Sequence, residues 1–118
     1  MADVEAKQVD AGAHRSFDRG HVDVVEIGGA SVGRATLEPG WKWSECVKPI
    51  VKTDLCQVAH LGYVVAGSLA GVMSDGTTFR VKAGDTYRIS PGHDAWVEGD
   101  EVYVGVEFES LKDYAKQG

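Results

Sequence analysis

The sequence predicts an all-β fold, a sandwich or barrel of antiparallel strands. The chain has 118 residues with 15 glycines and 3 prolines, and the glycines separate short segments rich in Val, Ile, Tyr, Phe and Thr. About eight such segments follow one another with turn residues between them, as in all-β domains. No long segment keeps an apolar period of 3.6 residues, which argues against a helical bundle.

Each predicted strand is a short run that stops at a glycine, a proline or a polar turn. The strands are predicted at 22–27, 31–37, 56–65, 69–73, 77–81, 85–89, 95–98 and 102–108. Asp75-Gly76 predicts a tight hairpin turn between two of them. In the last strand, Val106 and Phe108 alternate with Glu107. This alternation predicts one apolar and one polar face, as in antiparallel sheets packed on a common core.

The segments outside the strands complete the predicted organisation. Residues 1–20 are polar and mixed in charge, and are expected to be a loosely ordered arm ahead of a single β-barrel domain at 21–118. Residues 41–52 contain two tryptophans and a proline and are expected to be irregular. Residues 110–116 are expected to form one or two helical turns.

The charge balance narrows the classes of partner. The net charge is −6 and the sequence pI is about 5.1. Nucleic acids and anionic membranes attract basic patches, so neither is expected as a partner. We expect a cytoplasmic protein, because the sequence has neither an 18-residue apolar run nor a secretory signal pattern. In that compartment Cys46 and Cys56 would stay thiols rather than form a disulfide.

A set of thiol, imidazole and carboxylate side chains suggests a metal site. Asp54, Cys56 and His60 share one face of the predicted strand if it is regular. His93 follows a Pro-Gly turn and supplies a further nitrogen. We predict Cys56, His60 and His93 as ligands of zinc, iron or copper, with Asp54 and Cys46 as alternates. The competing interpretation is that these are ordinary core residues and a free loop thiol.

The ligand count would decide the kind of site. Cys56, His60 and His93 alone would leave a coordination position open for water or substrate, as in catalytic sites. Adding Cys46 would give two sulfurs and two nitrogens, a set that favours zinc in a closed, structural site.

Two segments about thirty residues apart resemble the paired motifs of the cupin superfamily. The first motif, Gly-x5-His-x-His-x(3,4)-Glu-x6-Gly, resembles the segment that ends at Gly67. The match puts His60 at the glutamate position, and Asp54 and Cys56 at the two histidine positions. The resemblance implies a double-stranded β-helix, or jelly roll, over about residues 34–108.

The second motif, Gly-x5-Pro-x-Gly-x2-His-x3-Asn, resembles the segment that begins at Gly84. Gly92 fits its second glycine, whereas Ala95 stands at the histidine position. His93 lies two residues earlier and would replace the missing ligand if the strand register allows it. The segments 40–49 and 91–96 resemble those of small single-domain bacterial cupins.

The resemblance also implies a cavity and its chemistry. In a cupin-like barrel, aromatic residues near the motifs would line a pocket for a small organic ligand; these are Trp41, Trp43, Tyr87 and Trp96. Asp94 or Tyr63 would assist catalysis beside the metal. A homodimer is implied as well, with residues 22–27 as the exposed edge strand.

Three classes of function remain open. The first is a metal-dependent enzyme of oxygenase, isomerase or lyase type acting on a small organic molecule. The second is a non-catalytic cupin that binds or senses such a molecule. The third is a degenerate barrel used as an interaction module. The fold alone does not choose between them.

Overall fold

A computed structural model describes residues 3–116, which form an almost entirely antiparallel β structure. The described strands are β1 (Ala13–Phe17), β2 (Gly20–Ile27), β3 (Ala30–Leu37), β4 (His60–Ala66), β5 (Ser68–Met73), β6 (Thr78–Lys82), β7 (Thr86–Ile89), β8 (His93–Glu98) and β9 (Tyr103–Phe108). Two short helices, α1 (Trp43–Cys46) and α2 (Lys48–Val51), lie between β3 and β4. A 3-10 helix (Val9–Ala11) precedes β1. The predicted all-β fold is confirmed.

The strands form two antiparallel sheets. The six-stranded sheet has the order β1-β2-β3-β9-β4-β7, and the three-stranded sheet has the order β6-β5-β8. The last strand, β9, therefore lies between β3 and β4, which are far apart in sequence. The inner side chains of both sheets form one core. This long-range pairing places β9 in the middle of the six-stranded sheet.

The N-terminal segment departs from the expectation of a loosely ordered arm. Residues 13–17 form β1, which pairs along its length with β2 from Ala13–Val24 to Phe17–Gly20. The reason is a short reversal at Asp18 and Arg19, which lets this polar stretch add to the sheet. The prediction that residues 22–27 form an exposed edge was wrong, because β2 lies between β1 and β3.

The loop before β4 also differs from its prediction. Residues 41–52 contain two helices where we expected irregular structure. Lys52 ends α2 in the left-handed conformation, with φ of 63°. The chain then reaches Cys56 outside any strand, and β4 begins only at His60. Residues 54–60 therefore do not form the regular strand that would place Asp54 and His60 on one face.

The faces of β9 are the reverse of the expected ones. Tyr103, Gly105 and Glu107 point inward and are buried, whereas Val106 is partly exposed and Phe108 is exposed. The apolar side chains of this strand thus lie on the outer surface of the six-stranded sheet. The predicted alternation is present, but the buried face carries the Glu107 carboxylate.

The last described segment follows β9 and packs against the barrel. Residues 110–115 form turns rather than a regular helix, and Tyr114 N donates to Leu111 O at 3.1 Å. Leu111 and Tyr114 are buried and close one end of the barrel.

Over residues 3–116, no helix is long and apolar enough to cross a bilayer.

Candidate metal centre

Cys56, His60 and His93 form a buried cluster inside the barrel. One ligand atom from each lies within 4.8 Å of the others. His60 begins β4 and His93 begins β8, so the two histidines come from different sheets. Cys56 is fixed by backbone hydrogen bonds, since its N donates to His93 O at 2.8 Å and its O accepts from Gly92 N at 2.7 Å. Both sheets and one loop thus converge on a single point.

Hydrogen bonds on the far side of each imidazole determine which nitrogen faces the cluster. His60 Nδ1 donates to Glu107 Oε1 at 2.6 Å, and His93 Nδ1 donates to Ser90 O at 2.7 Å. Nε2 is therefore the nitrogen of each ring that is left for the cluster, and His60 Nε2 lies 3.7 Å from Cys56 Sγ. Metal-bound histidines in proteins usually have this arrangement, with the second nitrogen donating to a carboxylate or carbonyl.

Glu107 is the centre of the supporting hydrogen bonds. Besides His60, it accepts from Tyr87 Oη at 2.6 Å and from Ser110 Oγ at 2.7 Å. Burial alone would raise the pKa of Glu107, but the charge of His60 and the hydrogen bonds from His60, Tyr87 and Ser110 hold it below its ordinary value. The opposite strand leaves room for these contacts at Gly62, where a Cβ would lie 2.8 Å from Tyr87 Oη and from Glu107 Cγ. The carboxylate is thereby held rigidly behind His60.

The electrostatics of the cluster lower the pKa of the Cys56 thiol. Burial by itself would raise the pKa of Cys56, but hydrogen bonds from His60 and His93 and their charges lower it to about 7. Burial would lower the pKa of His60, but the Glu107 carboxylate outweighs this and raises it. The thiolate is the form of cysteine that binds metals. The cluster therefore offers a sulfur donor near neutral pH.

A small apolar cavity adjoins the cluster. It encloses about 40 Å³ and is lined by residues that include His60, His93, Trp41, Trp43 and Tyr87. This volume is enough for roughly three water-sized groups, whereas pockets for drug-sized ligands measure about 300–1,000 Å³. Of the described residues, those that line it include neither lysine nor arginine. The cavity in this state admits only a very small ligand.

Comparison with solved structures relates this architecture to known proteins. A protein from Klebsiella pneumoniae with a double-stranded β-helix domain matches at a TM-score of 0.57, with 19% identity over 92% of this chain and 93% of that one. A cupin-2 domain protein from Rhodospirillum rubrum matches at 0.57, with 16% identity over 92% of this chain and 68% of that one.

The chain has the double-stranded β-helix fold of the cupin superfamily. The oxalate decarboxylase–formate complex of Lactobacillus farciminis also matches, at a TM-score of 0.60 and 15% identity. The match covers 95% of this chain but only 35% of the decarboxylase chain. No protein-family model and no curated protein matches the sequence. At these identities the comparisons show the fold alone.

His93 enters the cluster from the inward face of β8. The histidine position of the second motif is Ala95, and His93 lies two residues before it on β8. Residues two apart share a face of a strand, so His93 and Ala95 both point inward and are buried. His93 therefore reaches the interior of the barrel without a deletion and without a change of strand register.

The other candidate ligands lie away from the cluster. The Asp54 side chain is fully exposed, and its Oδ1 lies 3.7 Å from Lys48 Nζ. Cys46 is buried, but its Sγ contacts Asp18 Oδ2 at 3.7 Å. Both cysteines are free. The structure thus gathers three ligand candidates, and the closed set with Cys46 is not assembled.

The predicted catalytic residues are not in the cavity either. Tyr63 points outward from β4 and is 44% exposed. The Asp94 carboxylate accepts from Ser44 N at 3.1 Å, and so ties β8 to the first turn of α1. Of the predicted pocket aromatics, Trp41, Trp43 and Tyr87 line the cavity. Trp96 lies on the outer face of β8, with Lys42 Nζ 5.7 Å from its ring centre.

Sequence reasoning missed Glu107 and Ser110. Glu107 was assigned to the polar, outer face of the last strand because its neighbours Val106 and Phe108 are apolar. The available signal was its parity with Tyr103, a large residue that is fully buried in the barrel. Only the pairing of β9 with β4 places Glu107 opposite Gly62 and within reach of His60.

Proposed function

We propose that this protein is a metal-binding cupin that holds one divalent transition metal ion at Cys56, His60 and His93 and binds a small molecule in the adjoining cavity. The observation that carries the proposal is the convergence of Cys56 Sγ with two imidazole Nε2 atoms whose Nδ1 atoms are already hydrogen-bonded. Buried residues that merely filled space would not need this orientation.

The chemistry of the donors supports zinc, iron or copper. One thiolate and two imidazoles are soft to borderline ligands, which magnesium and calcium do not prefer. Three protein ligands leave a coordination position for a fourth group, as in catalytic sites. When bound, such an ion would supply Lewis-acid polarisation of an oxygen atom in the cavity. Glu107 would hold the His60 ring in place and increase its basicity.

An enzymatic role is the first form of this proposal, with a reaction of oxygenase, isomerase or lyase type. Its support is the open coordination position beside a cavity. A cupin that binds or senses the same molecule without converting it is the alternative. A third possibility is a barrel that serves only as an interaction module, which requires no metal. Metal content would distinguish the interaction module from the enzyme and the binding cupin. Turnover of the bound molecule would distinguish the enzyme from the binding cupin.

We also propose a homodimer. Its support is an apolar strip on the outer face of the six-stranded sheet, where Leu61, Tyr63 and Val65 on β4 lie beside Phe108 on β9. All four side chains are at least 44% exposed. Contiguous apolar patches on a protein surface often mark an interface, and an uncharged strip is complementary to a second copy of itself.

The experiment that tests the metal site is elemental analysis of protein purified without an affinity tag. We expect close to one metal ion per chain, and loss of that ion in Cys56→Ala, His60→Ala and His93→Ala. Cys46→Ala is the matched control, because it removes a buried thiol outside the cluster and should keep the metal. Absence of metal from the wild-type protein, even after incubation with zinc, iron(II) and copper, would contradict the proposal.

A further inference from the structure

A second cluster of reactive side chains lies on the outer face of the six-stranded sheet. Val22 and Val24 of β2 belong to the core, so Asp23 between them points outward. The register of β1 and β2 places His14 opposite Asp23. Ser16 is two residues further along β1 and shares the face of His14. A hydroxyl, an imidazole and a carboxylate therefore meet at the β1 edge of the sheet.

The contacts within this cluster follow the order serine, histidine, aspartate. Ser16 Oγ lies 3.0 Å from His14 Nε2, and Asp23 Oδ1 lies 2.6 Å from His14 Nδ1. Asp23 is 2% exposed, whereas His14 and Ser16 are open to solvent. These are the contacts of a nucleophile with a general base, and of that base with the group that orients it. Only the orienting group is buried.

Asp23 determines which nitrogen of His14 faces Ser16. Burial would raise the pKa of Asp23, but hydrogen bonds from His14 and Arg34 hold it below its ordinary value. The ionised carboxylate only accepts hydrogen bonds, so His14 Nδ1 donates to it. Nε2 is then the nitrogen directed at Ser16, and it accepts the hydroxyl proton when the ring is neutral. A histidine that merely satisfied a buried aspartate would need no serine at its second nitrogen.

A surface groove beside Ser16 offers room for a substrate. Its volume is about 420 Å³, and its walls include Ser16, Gly20 and Thr36. This volume lies within the range of small-molecule sites, about 300–1,000 Å³. Because Ser16 is exposed, water screens the charge that develops on an attacked carbonyl oxygen, and the protein stabilises it weakly. Esters with a good leaving group, such as aryl esters, need the least stabilisation.

We propose that Ser16, His14 and Asp23 form a second reactive site, at which an aryl ester acylates Ser16 and water then removes the acyl group. Ser16 Oγ forms a bond to the acyl carbon as its proton passes to His14 Nε2. The bond from that carbon to the aryl oxygen breaks, and the phenol leaves with the proton from His14. Water attacks the acyl carbon by the same route, which frees a carboxylic acid and restores the hydroxyl. The site needs no metal and is independent of the proposed metal centre.

Phenylmethanesulfonyl fluoride tests the nucleophile, because an activated serine displaces its fluoride and the labelled residue is identified by peptide mass spectrometry. The full chain is treated with a chelator first, so that no metal takes part. We expect Ser16 to react at least about tenfold faster than any other serine. Ser16→Ala should remove this label. Ser74→Ala, which changes another exposed serine, is the matched control and should keep it.

Two further variants test the base and the group that orients it. His14→Gln should slow labelling of Ser16 about 100-fold, as removal of a general base implies. Asp23→Asn should slow it at least about tenfold, because the amide no longer holds the imidazole in the required tautomer. Asp100→Asn, a change at an exposed residue, should have no effect. With 4-nitrophenyl acetate, rapid acid quenching should trap an acetyl group on Ser16.

Equal rates of Ser16 labelling in wild type and His14→Gln would overturn the inference. Acetyl groups found on lysine or histidine side chains and not on Ser16 would overturn it as well. His14 is exposed, so its replacement is compatible with folding. If Asp23→Asn unfolds, the wild-type protein and His14→Gln carry the test. Metal content should be the same in all these variants, so failure of the metal site is seen separately.

Discussion

Glu107 Oε1 lies 2.6 Å from His60 Nδ1, and this contact directs the opposite nitrogen of the ring towards Cys56. Tyr87 and Ser110 hold the carboxylate from its other sides. The geometry of the cluster thus depends on a residue that donates no atom to it.

Replacing Glu107 by Gln should weaken metal binding. The amide loses the charge that raises the pKa of His60, so the imidazole becomes a weaker ligand and is less firmly oriented. We expect the Kd for zinc to increase about 10- to 100-fold, measured by competition with a chromophoric chelator. Glu98→Gln is the control, because Glu98 pairs with Arg80 on the other sheet. Equal zinc affinity in Glu107→Gln and wild type would disprove the supporting role.

Replacing Arg15 by Ala should loosen the C-terminal turns that close the barrel. Arg15 Nη2 donates to Lys112 O at 2.6 Å and to Leu111 O at 3.4 Å, and thereby joins β1 to these turns. Loss of about 1 kcal/mol of hydrogen bonding should raise amide exchange in residues 110–116 about fivefold, as measured by mass spectrometry. Arg80→Ala, which removes a guanidinium on the opposite sheet, should leave that segment unchanged.

Asp23 should make the stability of the fold depend on pH. Burial alone would raise the pKa of this carboxyl, but hydrogen bonds from His14 and Arg34 and the charges of His14 and His21 hold it below its ordinary value. A folded-state pKa below the unfolded one gives stability that is present above about pH 4. This contribution is lost as the pH falls through the folded-state pKa.

The matching variant is Asp23→Asn. At pH 6 we expect a loss of about 1–2 kcal/mol in the free energy of unfolding by urea, because hydrogen bonds to a buried charge are removed. The difference from wild type should shrink progressively below pH 4. Asp100→Asn, a change at an exposed residue, should show no such trend. If the difference in unfolding free energy between wild type and Asp23→Asn stays constant from pH 6 to pH 3, the ionised Asp23 carboxylate does not stabilise the fold as proposed.

Replacing Leu61 by Glu should dissociate the proposed dimer. Leu61 is 56% exposed in the apolar strip, and a charge placed there would be buried without a partner in a symmetric interface. Light scattering during size-exclusion chromatography should give the dimer mass for wild type and the monomer mass for the variant. Thr78→Glu, on the exposed face of β6, should remain dimeric. A monomeric wild-type protein would contradict the proposed homodimer.

The sequence by itself determined the type of fold and most of its strands. Glycine-ended runs with two-residue alternation are a local signal, so the strands from 69 to 108 were located to within about two residues. The sequence also predicted His93 as a ligand if the strand register allowed it, and only the structure shows the register that puts His93 beside Cys56. Whether that cluster binds a metal stays a prediction.

Only the tertiary structure decided which face of each strand is the interior. Alternation separates the two faces of β9, but the same pattern would fit a barrel with Val106 inside and Glu107 outside. The pairing of β9 with β3 and β4 selects the opposite arrangement, and it places Glu107 behind His60. These pairings join residues at least 38 positions apart, as for Ala66 and Val104, and no short-range pattern in a sequence specifies such contacts.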